Sequence, residues 1–206
     1  MNLLVATRSE GKQREVRRLL AGAPFDVLFP DDAGVVESPA EDVLELHDSF
    51  EANARAKAEY FCRKTGLPTV ADDSGLEVFS LGGEPGVRSK RWAMATGTSV
   101  DVDAANNAML VRRLGGASDV RRRARYRCVL VLVRKAAGIP QPFDAAAGGL
   151  ILPEPRGTNG FGYDPYFLSD DLGRTFGEAS DNDKDTVSHR GKAFRALLEA
   201  LTVRPL

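Results

Sequence analysis

The sequence predicts an α/β protein with a mixed, twisted sheet and flanking helices. Short apolar runs rich in β-forming residues, such as residues 3–6 and 69–71, alternate with longer segments whose apolar residues recur every three or four positions. Glycines and prolines separate these segments. With 206 residues, 43% of them hydrophobic and 28% charged, the chain can bury a sizeable core. We expect one domain over residues 1–206, made of two lobes around a central cleft.

The bulk composition narrows the class of ligand. A formal net charge of −1 provides no overall field for nucleic acid or membranes, so we expect a small-molecule ligand. Cys62 and Cys128 have neither the number nor the spacing of a disulfide framework or a zinc site, which fits a reducing compartment. The first residues lack the pattern of a signal peptide, and no apolar run is long enough for a membrane span. These features predict a cytoplasmic protein.

The turn after the first strand has the features of a phosphate site. A strand over residues 3–6 and a helix over 10–20 are joined by a turn that offers backbone N–H groups, the Thr7 hydroxyl and the cation Lys12 at a helix N-terminus. Ser9 is a suitable N-cap. The turn is not a Walker A loop, because Ala6 replaces the first glycine and Gln13 follows the lysine. A capped helix with a solvated lysine fits the local sequence equally well.

Two adjacent carboxylates, Asp72 and Asp73, follow the apolar run at residues 69–71. We interpret them as the end of a buried strand, with one of the two acids facing a cleft beyond that end. Adjacent strand residues point to opposite faces, so the two aspartates are expected to serve different sites. A turn closed by Ser74 and Gly75 is the local alternative.

A helix is predicted from Phe50 to the glycine at position 66. Its apolar face comprises Phe50, Ala54, Ala58 and Phe61. Asp48 and Glu51 have the spacing of a capping box, and Asn53 is expected to point away from the apolar face. The segment before this helix is acidic, and one or two of its carboxylates could reach a divalent cation held by Asp73.

The stretch Arg121–Arg127 contains five arginines and is the best argument for nucleic-acid binding. Alternation places Ala124, Tyr126 and Cys128 on one face of the following strand and most arginines on the other. A solvated or edge-protecting strand face therefore accounts better for this stretch, and a subunit interface is a third interpretation.

Two later stretches offer ligand contacts. Residues 156–165 combine three glycines with Phe161 and Tyr163, whose rings could face a nucleobase, although a glycine-rich hairpin is the simpler account. Lys184 follows an acidic loop, and Ser188 can cap the last helix. His189, Arg190 and Lys192 follow in its first turn, where the helix dipole disfavours cations. A bound anion or electron-rich carbonyl would explain this basic turn.

Together these stretches resemble the inosine/xanthosine triphosphate pyrophosphatase family of the bacterial Ham1-like kind. The most specific pieces are Asp72-Asp73-Ser74-Gly75-Leu76, Gly160-Phe161-Gly162-Tyr163-Asp164-Pro165 and Ser188-His189-Arg190-Gly191. The resemblance runs almost from end to end and implies a homodimeric hydrolase. Its implied reaction is the Mg²⁺-dependent conversion of ITP, dITP and XTP to the monophosphate and pyrophosphate, which cleanses the nucleotide pool.

The resemblance also implies a role for individual residues. Asp73 would bind Mg²⁺ and act as the base for water, Glu45 would be the second metal ligand, and Ser74 would contact substrate. The triphosphate would be held by Thr7, Arg8, Ser9, Glu10, Gly11 and Lys12. The residues that would flank the purine are Phe161, Gly162, Tyr163 and Asp164. Lys184 would contact the nucleotide, and His189 and Arg190 would recognise the base. The chain departs from the family pattern at Ser9, at Leu46-His47 and at Ala52.

Three other functions remain open on the sequence alone. A Maf-type pyrophosphatase would act on other modified nucleotides, but its Ser-x-Ser-Pro-Arg-Arg opening is absent. A nucleic-acid-binding module would use Arg121–Arg127 and would show strongly salt-dependent affinity. A nucleotide sensor would bind without turnover.

Overall fold

The computed structural model describes all residues, 1–206. The strands are β1 (Asn2–Val5), β2 (Asp26–Leu28), β3 (Thr69–Val78), β4 (Arg123–Val133), β5 (Gln141–Ile151) and β6 (Phe167–Ser169). The helices are α1 (Glu10–Leu19), α2 (Phe50–Thr65), α3 (Ser99–Arg113), α4 (Asp181–Val187) and α5 (His189–Val203). The predicted mixed α/β class is confirmed. None of the helices combines the length and apolarity needed to cross a membrane.

The six strands form one mixed sheet in the order β2-β1-β3-β4-β5-β6. β1 pairs in parallel with β2 and with β3, whereas β5 and β6 are antiparallel. The pairing of β1 with β3 ends at Val5 and Val70. Asp72 and Asp73 therefore lie beyond the carboxyl end of β1, the edge at which ligands commonly bind in α/β sheets.

The chain divides into two compact units, each with its own apolar core. The first unit comprises residues 1–73, 128–145 and 193–206, and its core includes Leu3, Val70 and Leu197, all fully buried. The second unit comprises residues 74–127 and 146–192, with a core around Leu110 and Phe167. β3, β4, β5 and α5 each contribute residues to both units.

The expectation that β3 ends at the paired aspartates is wrong. The strand continues through Asp72, Asp73 and Gly75 to Val78. Gly75 is a site of close approach and does not break the strand, because the Ser89 hydroxyl packs against it and accepts a hydrogen bond from Leu76 N at 2.9 Å. The two carboxylates are therefore held on regular extended backbone.

Gly75→Ala is expected to destabilise the protein by about 1–3 kcal/mol, the usual cost of overpacking a tight site. An added Cβ would lie 2.3 Å from Ser89 Oγ and 2.5 Å from the Gly86 carbonyl oxygen. Urea unfolding measures the change. Gly115→Ala is the control, since its Cβ would meet no atom nearer than 3.3 Å, and equal losses in both variants would contradict this explanation.

The arginine-rich stretch is largely bound to other parts of the second unit. Arg122 is buried and donates to the carbonyl oxygens of Leu114 and Ala117. The remaining pairs are Arg123 with Asp170, and Arg125 and Arg127 with Glu77. The predicted alternation is confirmed, but β4 lies between β3 and β5, so edge protection is wrong. These internal ion pairs argue against nucleic acid as the partner of this stretch.

For α2, the boundaries predicted from the apolar periodicity agree with the structure, but the predicted N-cap residue does not. α2 ends at Thr65, as predicted, and Gly66 caps it in the left-handed conformation. Its N-cap is Ser49, whose side chain accepts from Ala52 N. The capping box on Asp48 is wrong, and Glu51 instead pairs with Arg55 at 2.7 Å. Cys62 and Cys128 are buried, and no disulfide joins them.

The acidic loop predicted before Lys184 is wrong where it includes Asp181 and Asp183, because both lie in the first turn of α4. Ser180 caps this helix by accepting from Asp183 N, and Ser188 follows its last residue. Ser188 also accepts from Gly191 N at 3.0 Å, so the predicted capping role at the start of α5 is confirmed.

Candidate active site

The turn between β1 and α1 forms the first part of the candidate site. Thr7 is buried, and its hydroxyl accepts from Ser9 N at 3.3 Å. Ser9 occupies the N-cap position of α1, but its side chain makes no capping hydrogen bond. Lys12 in the first turn of α1 forms an ion pair with Asp72, with 2.9 Å between Nζ and Oδ2. The turn thus presents a helix N-terminus beside an anchored ammonium group, an arrangement that suits an anion.

Arg8 in the same turn is bound by the acidic segment that follows β2. Its guanidinium donates to both Glu41 carboxylate oxygens at 2.7 and 2.9 Å, to Asp31, and to the Val35 carbonyl oxygen. These hydrogen bonds, above all with Glu41, raise the pKa of Arg8 above its ordinary value. The side chain therefore ties the turn to residues 31–41. Glu10 and Gly11 complete the turn as the first two residues of α1.

Asp73 is buried and held by α2. The side-chain amide of Asn53 donates to Asp73 Oδ2 at 2.8 Å, and its oxygen accepts from His47 N at 2.9 Å. Burial raises the pKa of Asp73, against the opposing effects of Lys57, Lys12 and Asn53. The amide thus fixes the orientation of a carboxylate that has lost most of its solvent.

Lys57 links Glu45, the Asp73 carboxylate and the backbone of Asp72. Its Nζ lies 2.6 Å from Glu45 Oε1 and 4.0 Å from Asp73 Oδ1, and it donates to the Asp72 carbonyl oxygen. Burial alone would lower the pKa of this lysine, but the surrounding carboxylates outweigh burial and raise it. The two aspartate side chains have different partners, since the Asp72 carboxylate pairs with Lys12 whereas the Asp73 carboxylate faces Asn53 and Lys57. That the two serve different sites stays a prediction.

Glu45 and Asp73 are the residues of the first unit that could hold a divalent cation. Both carboxylates already lie close to the same cationic group, Lys57 Nζ. The chain contains no cluster of three or more His, Cys, Asp or Glu arranged to enclose a metal. Two carboxylates, completed by water and substrate phosphates, are nevertheless a common way to bind Mg²⁺. The donor set therefore fits this ion.

In the second unit, Asp164 holds a buried lysine. Asp164 Oδ2 accepts from Lys184 Nζ at 2.6 Å and from Phe161 N at 2.9 Å, and both partners of this ion pair are almost fully buried. The ammonium also lies 5.2 Å from the centre of the Phe161 ring. Gly160 has a positive φ, and a Cβ there would lie 2.0 Å from the Asp164 carboxylate. The glycine is required for this close turn.

The two aromatic residues of this turn have different environments. Tyr163 is 4% exposed, packs in the core of the second unit and donates its hydroxyl to the Ser89 carbonyl oxygen at 2.7 Å. Phe161 remains partly exposed. Between them, Gly162 is held by α3, since its N–H donates to Asp103 and its carbonyl accepts from Asn107. Phe161 is thus the ring better placed to face a base.

His189 and Arg190 of the basic turn at the start of α5 are buried. Arg190 is 2% exposed, donates to Ser74 Oγ at 2.7 Å and lies 5.9 Å from the Phe161 ring centre. His189 is 4% exposed, and its ring stacks on Tyr126. The structure therefore brings Ser74, Phe161 and Arg190 together in the second unit, and the stack on Tyr126 holds His189 in the same turn.

Comparisons with known proteins agree with this geometry. The model of the Ham1 family matches residues 3–200. The chain belongs to the Ham1 family. A Ham1-family relative from Frankia alni, the dITP/XTP pyrophosphatase, is 44% identical over 98% of this chain and 97% of its own length. The dITP/XTP pyrophosphatase of Ralstonia nicotianae is 45% identical over 97% of this chain and 96% of its own.

Solved Ham1 structures agree as well. A HAM1 protein from Coxiella burnetii superposes with a TM-score of 0.85 at 33% identity and covers 98% of this chain and 99% of its own. Membership in the Ham1 family confirms the resemblance seen in the sequence. The chain is therefore not assigned to the Maf-type pyrophosphatases.

Sequence reasoning missed Asn53 and Lys57, although a signal for both was present. The buried face of α2 contains Phe50, Asn53, Ala54, Lys57, Ala58 and Phe61. The expectation that Asn53 points away from this face is wrong, since position 53 is one helical turn after Phe50. Polar residues at core positions four residues apart indicate a shared buried partner, which here is Asp73.

Proposed function

We propose that this protein hydrolyses the non-standard purine nucleotides dITP, ITP and XTP to the monophosphate and pyrophosphate, with Mg²⁺ as cofactor. The proposal is carried by the 44% identity, over nearly the whole of both chains, with the dITP/XTP pyrophosphatase of Frankia alni. The charged groups of the first unit and the buried hydrogen-bond donors of the second support it. The charged groups of the first unit suit a triphosphate, and the buried donors of the second unit suit an oxo-purine.

In the first unit, the turn over residues 7–12 binds the triphosphate through its backbone N–H groups and Lys12. Glu45 and Asp73 would hold Mg²⁺, and its positive charge would offset the negative charge that develops on the phosphates. Asp73, oriented by Asn53, accepts the proton of the attacking water. Arg8 keeps the turn in place through Glu41.

In the second unit, the donors select the base. Lys184 and Arg190 carry only hydrogen-bond donors, and both are almost fully buried. A 6-oxo group accepts from such donors, whereas the 6-amino group of adenine would place donor against donor and leave buried polar groups unpaired. His189 and Phe161 complete the site, with Phe161 offering a ring face to the purine.

A pyrophosphate-release assay tests this function. With purified protein and Mg²⁺, we expect release of pyrophosphate from ITP, dITP and XTP, with far lower kcat/KM for ATP and GTP. Release of orthophosphate alone, or a preference for ATP or GTP, would contradict the proposal.

Removal of Mg²⁺ with EDTA is expected to stop turnover, and added Mg²⁺ to restore it, because the anionic Glu45 and Asp73 would repel a triphosphate whose charge no metal offsets. Turnover that persists in EDTA would exclude the metal. Ca²⁺ is the comparison in the same assay. It is larger than Mg²⁺ and takes more ligands in a less regular geometry, so we expect it to restore less turnover than Mg²⁺.

The homodimer and the cytoplasmic location stay predictions. The dimer follows from the resemblance, and light scattering coupled to size exclusion measures it directly. A single species at the monomer mass of 22.3 kDa would contradict it.

A further inference from the structure

Tyr126 in β4 is a buried residue that contacts two residues of the candidate base-binding site, His189 and Asp164. It is 7% exposed, and its ring lies parallel to that of His189, with 4.7 Å between centroids and 6° between planes. On other sides it packs against Phe167 and Phe176. The histidine ring thus rests on a ring that the core holds in place.

The Tyr126 hydroxyl reaches a second group of the same site. Burial, followed by the charge of the Asp164 carboxylate and a hydrogen bond to it, raises the pKa of Tyr126 well above 10. The phenol therefore stays protonated and donates to Asp164. Asp164 in turn holds Lys184 Nζ and Phe161 N. One side chain thus supports both His189 and the carboxylate that positions Lys184.

We propose that Tyr126 is a positioning residue for base recognition: its ring sets the plane of the His189 imidazole, and its hydroxyl fixes the Asp164 carboxylate that anchors Lys184. The inference rests on the proposed function. Holding both groups in place before substrate arrives reduces the ordering cost of binding. A phenylalanine at this position would supply the ring but not the hydroxyl. Tyr126 itself acts through its neighbours.

Two substitutions separate the roles of ring and hydroxyl. Tyr126→Phe is expected to raise KM for ITP about tenfold, the usual effect of losing a hydrogen bond to a charged group. Tyr126→Leu loses the stacked ring as well and is expected to raise KM further. In both variants kcat should stay within about twofold of wild type, because a group that improves ground-state and transition-state binding equally affects KM alone.

Matched controls exclude a merely structural effect. Tyr60→Phe removes a tyrosine hydroxyl from the first unit, where it contacts Lys64 and Ser38, and should leave KM unchanged. Leu110→Ala makes a cavity in the same core as Tyr126 and should lower Tm without raising KM at temperatures below unfolding. If the Tyr126 variants lower Tm as Leu110→Ala does but keep the wild-type KM, the proposal is overturned.

A second readout does not depend on activity. The chain has only two histidines, so His47→Gln assigns the imidazole proton resonances of His189. Stacking should shift these resonances upfield in wild type and in Tyr126→Phe, and the shift should be lost in Tyr126→Leu. Unchanged resonances in Tyr126→Leu would overturn the proposed role of the ring. Failure of wild type to hydrolyse ITP would instead reject the proposed function, so the two failures are distinguishable.

Discussion

Asp73→Asn is expected to lower kcat for ITP hydrolysis by about 10³-fold or more. The substitution removes a metal ligand and the proton acceptor together, and a positioned base alone contributes about 10²- to 10⁴-fold. The fold should remain intact, because an asparagine oxygen can still accept from the Asn53 amide that now meets Asp73 Oδ2 at 2.8 Å. Steady-state pyrophosphate release measures the loss, and circular dichroism checks the fold.

Asp48→Asn is the matched control for this substitution. Asp48 is exposed and directly precedes the N-cap of α2, so its change of charge should leave kcat unchanged. A general base usually contributes at least about 10²-fold to kcat. If Asp73→Asn retains more than about a tenth of the wild-type kcat, the loss is smaller than that contribution, and the base lies elsewhere.

Lys57→Met is expected to destabilise the protein by about 3–5 kcal/mol, the usual cost of removing one partner from a buried ion pair. The lysine is the cation that compensates Glu45 and Asp73, and it also satisfies the Asp72 carbonyl oxygen. Without it, the carboxylates repel one another in a poorly solvated site. Urea unfolding measures the loss, and activity should fall with the changed orientation of Asp73.

Mg²⁺ should recover part of the stability lost in Lys57→Met. A divalent cation bound between the same carboxylates replaces the missing charge and favours the folded state by mass action. Lys64→Met on the exposed end of the same helix is the control, with an expected change within about 0.5 kcal/mol. Equal effects of the two substitutions would show that the Lys57 network adds nothing to stability.

The parts of the fold that follow an apolar period could be predicted from the sequence. The bounds of α1 and α2 were predicted to within one residue, because each buries an apolar stripe whose spacing is visible. α4 could not be found in this way, since its seven residues carry no such stripe. Its Ser180 cap, three residues before Asp183, was the available signal.

The site residues that stand in contiguous motifs could be predicted from the sequence. The contacts between residues that are distant in the sequence could not. Asp73, Ser74 and His189-Arg190 stand in short, specific motifs. The stack of Tyr126 on His189 joins residues 63 positions apart, and no local pattern encodes it. Gly75 was misinterpreted because a glycine that allows close packing and a glycine that ends a strand look the same in one sequence.

Competition between ITP and GTP in a single reaction tests the central claim most directly. Both share the 6-oxo group and the triphosphate and differ only in the 2-amino group of guanine, so the test measures recognition at position 2 of the purine. The expected preference for ITP rests on the similarity to the dITP/XTP pyrophosphatases. At equal concentrations with Mg²⁺, we expect inosine monophosphate and pyrophosphate to accumulate while GTP remains, as followed by chromatography. Formation of guanosine monophosphate at the same rate, or of inosine diphosphate with orthophosphate, would contradict the assignment.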